Sequence, residues 1–81
     1  MHFVYVIVSI NRKYIYVGLT NNPERRISEH QNGWNKTTKP YAPFYVLLTE
    51  PYSDRLTARK REVYLKSGAG KEYLKSLLPG N

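Results

Sequence analysis

The 81-residue chain contains no cysteine, one tryptophan, and only 6 acidic residues against 13 lysines and arginines. Without cysteine there is no disulfide framework, no thiolate zinc site and no cysteine nucleophile, so stability rests on packing and the chain is indifferent to redox compartment. No apolar run approaches the roughly 20 residues that span a bilayer. The opening segment, Met1 to Val6, has no basic region ahead of its apolar run and no small-residue cleavage site behind it. The expectation is a soluble, cytoplasmic protein with no membrane partner. A chain of this length has room for one domain, residues 1–81, that buries roughly 60% of its unfolded surface. That excludes a multi-domain allosteric enzyme.

What the chain has in excess is positive charge, a formal +7. A surplus of this size points to an anionic partner, most often nucleic acid, drawn in by electrostatic steering and counterion release. The competing reading is that the charge only maintains solubility.

Residues Phe3 to Ile10 are apolar at nearly every position and rich in β-branched and aromatic types, the pattern of a strand buried on both faces inside a sheet. Tyr14 to Thr20 alternates and reads as a second strand, close enough to form a hairpin. A four-residue loop, Ile10 to Lys13, sets Ser9 opposite Tyr14, Ile7 opposite Tyr16 and Tyr5 opposite Gly18. One face is then Val4, Val6, Val8, Ile15, Val17 and Leu19; a loop one residue shorter would mix tyrosines into it. Asn22 and Pro23 open a helix that Gly33 stops. That helix is unusually polar: Ile27 is its one strongly apolar interior residue, so Arg26 or His30 must also turn inward. Trp34 to Pro43 reads as an irregular basic loop, and Phe44 to Thr49 as a third strand. Ser53 or Asp54 caps a second helix to about Ser67, closed by Gly68, and a third helix spans about Lys71 to Leu78. The order β-β-α-β-α-α gives an α+β domain, a small sheet flanked by helices.

The hairpin register places Tyr5, Tyr14, Tyr16 and Gly18 on one face, with Tyr5 and Tyr16 diagonal neighbours roughly 7 Å apart. Gly18, lacking a side chain, leaves space beside Tyr5 for a ligand. Arg26 and His30, four residues apart, share a helix face, where a guanidinium grips phosphate and an imidazole moves a proton near neutral pH. In the second helix Glu62 is the one acid after the first turn and is partly inward. An ion pair with Arg59 or Lys66 is one reading of it. The other is a ligand to a hard divalent cation, which needs carboxylate oxygen and accepts as few as one or two protein ligands.

Tyr5 in Phe3-Val4-Tyr5, Tyr16-Val17-Gly18, Arg26, His30, and Glu62 within Ala58 to Lys66 together resemble the ordered signature of the GIY-YIG endonuclease domain, across nearly the whole chain. The likeness is nearest to small stand-alone members related to the N-terminal nuclease domain of the bacterial excision-repair excinuclease. The resemblance implies a three-stranded antiparallel sheet flanked by helices and an Mg²⁺- or Mn²⁺-dependent endonuclease acting on DNA in repair or recombination, with branched, nicked or damaged DNA as candidate substrates. It implies Tyr5 and Tyr16 as the motif tyrosines, Tyr16 being the favoured base, Gly18 as the motif glycine and Arg26 as the phosphate clamp. It further implies His30 as a relay and Glu62 as the metal ligand, with phenol acidity raised by nearby cations. Phe3 replaces the first motif's glycine, Leu19 stands where some members carry lysine, and no counterpart follows Glu62 for the asparagine of some members. Lys36, Lys39, Arg55, Arg59, Lys60 and Lys71 would supply backbone contacts, with Trp34 or Tyr41 stacking on an unpaired base. The alternative is a non-cleaving nucleic-acid-binding module of the same fold.

Overall fold

The computed structural model describes residues 1–80. Three strands, β1 (His2–Ser9), β2 (Ile15–Thr20) and β3 (Phe44–Tyr52), form one antiparallel sheet in the order β2-β1-β3. The helices are α1 (Pro23–Gln31), α2 (Arg55–Lys66) and α3 (Gly68–Ser76), with a short 3-10 turn at Lys39–Tyr41. This is the expected β-β-α-β-α-α order, and the apolar β1 occupies the centre of the sheet as its two-sided hydrophobicity requires. The hairpin register also holds: Tyr5 pairs with Gly18 and Ile7 with Tyr16, and Ser9 N–H donates to the Tyr14 carbonyl at 2.9 Å.

The sheet separates two cores. On one face Val4, Val6 and Val17 pack with Ala58 and Leu65 of α2 and Leu74 of α3. On the other, Tyr5, Ile7 and Phe44 form a buried cluster bordered by Tyr14, Tyr16, Ile27 and Tyr41. Period-two alternation along β1 therefore sends the valines to one helical layer and the tyrosine to the other.

Three local details differ from the sequence reading. β3 runs past Thr49 to Tyr52, through Pro51 opposite Phe3, which is tolerated because β3 is an edge strand whose free N–H side needs no partner. A bulge in β3 falls opposite Val6 and Ile7, where the register steps from Leu48 to Val46. Through it the consecutive Leu47 and Leu48 both reach the valine core. Gly68 does not close α2: it is the first residue of α3, which ends at Ser76 rather than about Leu78. Ser67 makes the junction in extended backbone (φ −76°, ψ 170°), its N–H returning to the Tyr64 carbonyl and its hydroxyl accepting from Gly70 N–H at 3.2 Å. Asp54, not Ser53, caps α2 by accepting from Thr57 N–H at 2.9 Å. Gly33 ends the α1 segment in the left-handed region (φ +74°), as its position there predicts. Among the described residues no helix is long and apolar enough to cross a membrane.

Candidate active site

Tyr5 stands on the central strand with 1% of its surface exposed, and its ring lies across β2 over Gly18. A Cβ at Gly18 would sit 2.5 Å from the Tyr5 hydroxyl and collide with the ring. The space left by the glycine is thus filled by the protein's own phenol, which corrects the expectation that it admits a ligand. Gly18 positions Tyr5; it offers no open surface.

The Tyr5 hydroxyl lies 2.8 Å from His30 Nε2, and His30 Nδ1 lies 2.8 Å from the Thr38 hydroxyl. His30 and Thr38 are both fully buried. The Thr38 hydroxyl donates to the Asn35 carbonyl at 3.5 Å, so it accepts from Nδ1–H. Nε2 is then the acceptor for the Tyr5 O–H, and the proton positions run in one direction from phenol to loop. The electrostatics keep both groups neutral. Burial chiefly, and the charge on Arg26 next, push His30 below its ordinary pKa and keep it neutral, against a smaller opposing effect of Glu29. Burial first, and the neighbouring Tyr16 second, push the Tyr5 phenol above its ordinary value, although Arg26 acts in the opposite sense. A lowered Tyr5 pKa, implied by the resemblance, is not what this enclosure produces: desolvation outweighs the nearby cation.

Tyr16 is half-buried, its ring centroid 4.7 Å from His30 and 6.1 Å from Tyr5. Arg26, with its side chain 30% exposed, donates to Glu29 Oε1 at 2.6 Å. That hydrogen bond is the main cause raising the Arg26 pKa, with Tyr5 adding to it. Glu29 also accepts from Arg25 at 3.1 Å. The α1 face thus carries Arg26 and His30 together toward the tyrosines, as its polar pattern requires: Ile27 joins the same core, and Gln31 clamps the start of β3 by exchanging two hydrogen bonds with the Phe44 backbone. The loop closes over this side, with Tyr41 stacked on Tyr14 at 3.8 Å.

Glu62 is elsewhere. It belongs to α2, which packs on the valine face, and only 7% of its side chain is exposed. Its oxygens accept from Arg59 at 2.7 Å and Lys66 at 3.0 Å, so both ion pairs read as alternatives in the sequence form at once. Its carboxyl is held below its ordinary range: desolvation opposes this, but the hydrogen bonds and charges of Lys66 and Arg59 together prevail. Among the described residues no group of three His, Cys, Asp or Glu side chains is gathered for a metal ion. The donor chemistry of Glu62 still fits a hard divalent cation: it is an ionised carboxylate facing half-exposed side chains (60% and 52%) that can swing into water.

The expected backbone-binding cations come from three parts of the fold. All are exposed, but Lys36 and Lys39 lie on the loop after α1, Arg55, Arg59 and Lys60 on α2, and Lys71 on α3. Trp34 is 75% exposed on that loop. The sequence reading did not find Thr38 or Glu29. Nothing in a Thr-Thr-Lys loop marks the second threonine as the one that folds under a histidine, whereas Glu29, three residues from Arg26, carried an ordinary helix-pair signal.

Comparison with known proteins gives the family. The family model for the GIY-YIG catalytic domain matches residues 1–74. The chain is 39% identical over 64 residues to a UPF0213 protein of Xanthomonas campestris pv. campestris (strain 8004), covering 78% of this chain and 62% of that one. It therefore spans less than two thirds of that relative's length. A UPF0213 protein of Staphylococcus epidermidis (strain ATCC 12228) is 34% identical over 80 residues, 98% of this chain and 96% of the relative. The solution NMR structure of a UPF0213 protein from Bacillus halodurans superposes with a TM-score of 0.57 at 32% identity, covering 98% of this chain and 86% of that one. With the sheet order, the motif register and the family match in agreement, the chain belongs to the GIY-YIG catalytic domain family, a nuclease family.

Proposed function

We propose that the protein is a divalent-metal-dependent endonuclease that hydrolyses DNA phosphodiester bonds. The observation that carries this reading is the directed chain beneath Tyr16: Tyr5 O–H to His30 Nε2, His30 Nδ1–H to Thr38, with Arg26 at its mouth. A core built for stability alone would not bury a phenol and an imidazole where a Phe and a Leu would pack without needing partners.

Tyr16 is the general base, because it is the half-exposed phenol and Tyr5 is enclosed. Tyr5 and His30 hold the Tyr16 ring and fix the local proton arrangement from below. Arg26, held by Glu29 with part of its guanidinium open to solvent, takes a non-bridging phosphate oxygen. Glu62 would hold Mg²⁺ or Mn²⁺ once Arg59 and Lys66 turn outward. The cation, when bound, supplies charge stabilisation at the phosphate and the leaving oxygen. The exposed lysines and arginines contribute backbone attraction without base selection. A role in repair, with branched, nicked or damaged DNA as substrate, extends this reading.

The test is cleavage of a labelled DNA panel with Mg²⁺ and, separately, Mn²⁺. Wild type is expected to release new ends, while Glu62→Ala and Tyr16→Phe cut at least about a hundredfold more slowly and still retard the DNA. Cleavage by Glu62→Ala at the wild-type rate would remove Glu62 from the site. Retardation by wild type with no new ends under either metal would leave the non-cleaving binding module as the function.

A further inference from the structure

A cleft of about 970 Å³ opens beside Tyr16, between the β1–β2 hairpin and α3. Its size is that of a small-molecule site, roughly 300 to 1,000 Å³. Its charge is lopsided: Arg12, Lys13, Lys66, Lys71 and Lys75 line it against one acid, Glu72, so 5 of the chain's 13 lysines and arginines converge on this one hollow. The rest of its lining is apolar or aromatic: Ile15, Val17, Leu74, Leu78 and Tyr45, with Tyr14 and, in β2, Tyr16, whose rings pack on Tyr41 and His30. The two chemistries together suit a nucleotide, apolar surface for the base and ammonium groups for its phosphates.

The position of the cleft matters as much as its lining. Tyr16 belongs to the tyrosine–histidine cluster, and Lys66 is the residue whose ammonium holds Glu62. Both line this cleft, which therefore runs past the exposed edge of β2 and adjoins both halves of the candidate site. A duplex cannot use such a recess, because its bases are paired and stacked and offer only their edges. A base enters only if it is unpaired or extruded, and the energy of extrusion is least where pairing is already broken.

Building on the nuclease reading above, we propose that this cleft seats an unpaired DNA nucleotide next to the phosphate that lies against Tyr16 and Arg26, so that the substrate is a strand with at least one unpaired base. Tyr45 and the apolar lining take the base while Lys13 and Lys71 hold the flanking phosphates. Discrimination then comes from the catalytic module itself, through loss of pairing and not through sequence.

The experiment measures binding in EDTA, where no cutting occurs, with the full chain and a fluorescein-labelled oligonucleotide carrying one 2-aminopurine. It is presented as a single strand, as a duplex with that base bulged, and as a matched duplex. The single strand and the bulge are expected to bind about tenfold more tightly than the matched duplex, with a change in 2-aminopurine fluorescence on binding. Leu78→Trp fills the cleft without altering charge, and Lys13→Glu reverses one rim charge on the exposed hairpin tip. Each should reduce the preference by more than half, while circular dichroism shows the fold retained. Equal affinity for all three DNAs overturns the inference, as does a preference that neither variant changes. If matched duplex is cut in Mg²⁺ as fast as the bulged form, the inference fails and the nuclease reading stands. If no DNA is cut but the preference and its loss are seen, the nuclease reading fails and the cleft assignment stands.

Discussion

Replacing Gly18 with alanine tests how the buried part of the site is built. The added methyl would lie 2.5 Å from the Tyr5 hydroxyl and against the ring carbons beside it, so Tyr5 must swing away and surrender its hydrogen bond to His30 Nε2. Forcing volume into a packed core costs about 1–3 kcal/mol. Leaving a buried phenol and imidazole without each other adds about 1–3 kcal/mol. Against this, alanine regains about 0.5–1 kcal/mol of the backbone entropy that glycine loses in a strand. The net expectation is a loss of about 2–4 kcal/mol, a large share of the stability of so small a domain. Urea unfolding followed by far-ultraviolet circular dichroism should show a lower midpoint at an unchanged slope. The decisive measurement is a double-mutant cycle with Tyr5→Leu. In that background the ring is gone, and Gly18→Ala should cost less than about 1 kcal/mol, a coupling that only contacting side chains produce. A single Gly18→Ala variant within about 0.5 kcal/mol of wild type, or an equal cost in both backgrounds, would refute the account of the glycine as a seat for Tyr5.

Thr38→Val keeps the shape of a fully buried side chain but strands Nδ1–H of His30, and should lower stability by about 1–3 kcal/mol; Thr38→Ser should retain the hydrogen bond, and a Val variant as stable as Ser would show that the hydroxyl contributes nothing. Gly70→Ala sets a methyl against the Tyr64 carbonyl and the Leu65 Cα, backbone atoms that cannot rotate aside. The two helices must part, at about 1–3 kcal/mol or more, and a thermal midpoint equal to wild type would contradict that close approach. The pH dependence follows from His30, whose pKa in the folded protein lies below its ordinary value. The unfolded chain takes up a proton that the folded chain refuses, so the stability is fully present above about pH 6.5 and is lost as pH falls from there toward the lowered folded value. Urea midpoints should drop across that interval in wild type and much less in His30→Asn; identical pH profiles would disprove it.

Much of the fold was legible because β-structure writes itself in alternation. The all-apolar β1 had to be central, and the parity of the hairpin loop was decided by keeping tyrosines out of the valine face, which the observed Tyr5–Gly18 pairing matches. The ends of elements were less legible. Gly68 resembled a stop, yet Ser67 turns the chain with its own hydroxyl and lets α3 begin at once. The third strand was read only to Thr49, yet β3 continues through Pro51, which an edge strand tolerates.

The site divides in the same way. Sequence spacing alone set Arg26 and His30 on one helical face and Tyr5 and Tyr16 on one face of the sheet, because helical and strand periods are local properties of the backbone. Only the tertiary structure decided that Tyr5 fills the hollow over Gly18, that His30 is buried and neutral, and that a threonine eight residues beyond it completes the chain. It also decided that Glu62 is buried in a double ion pair, and that scattered cations at positions 12, 13, 66, 71 and 75 line one cleft. Burial, pairing and convergence arise between segments distant in the chain, and no local pattern encodes them.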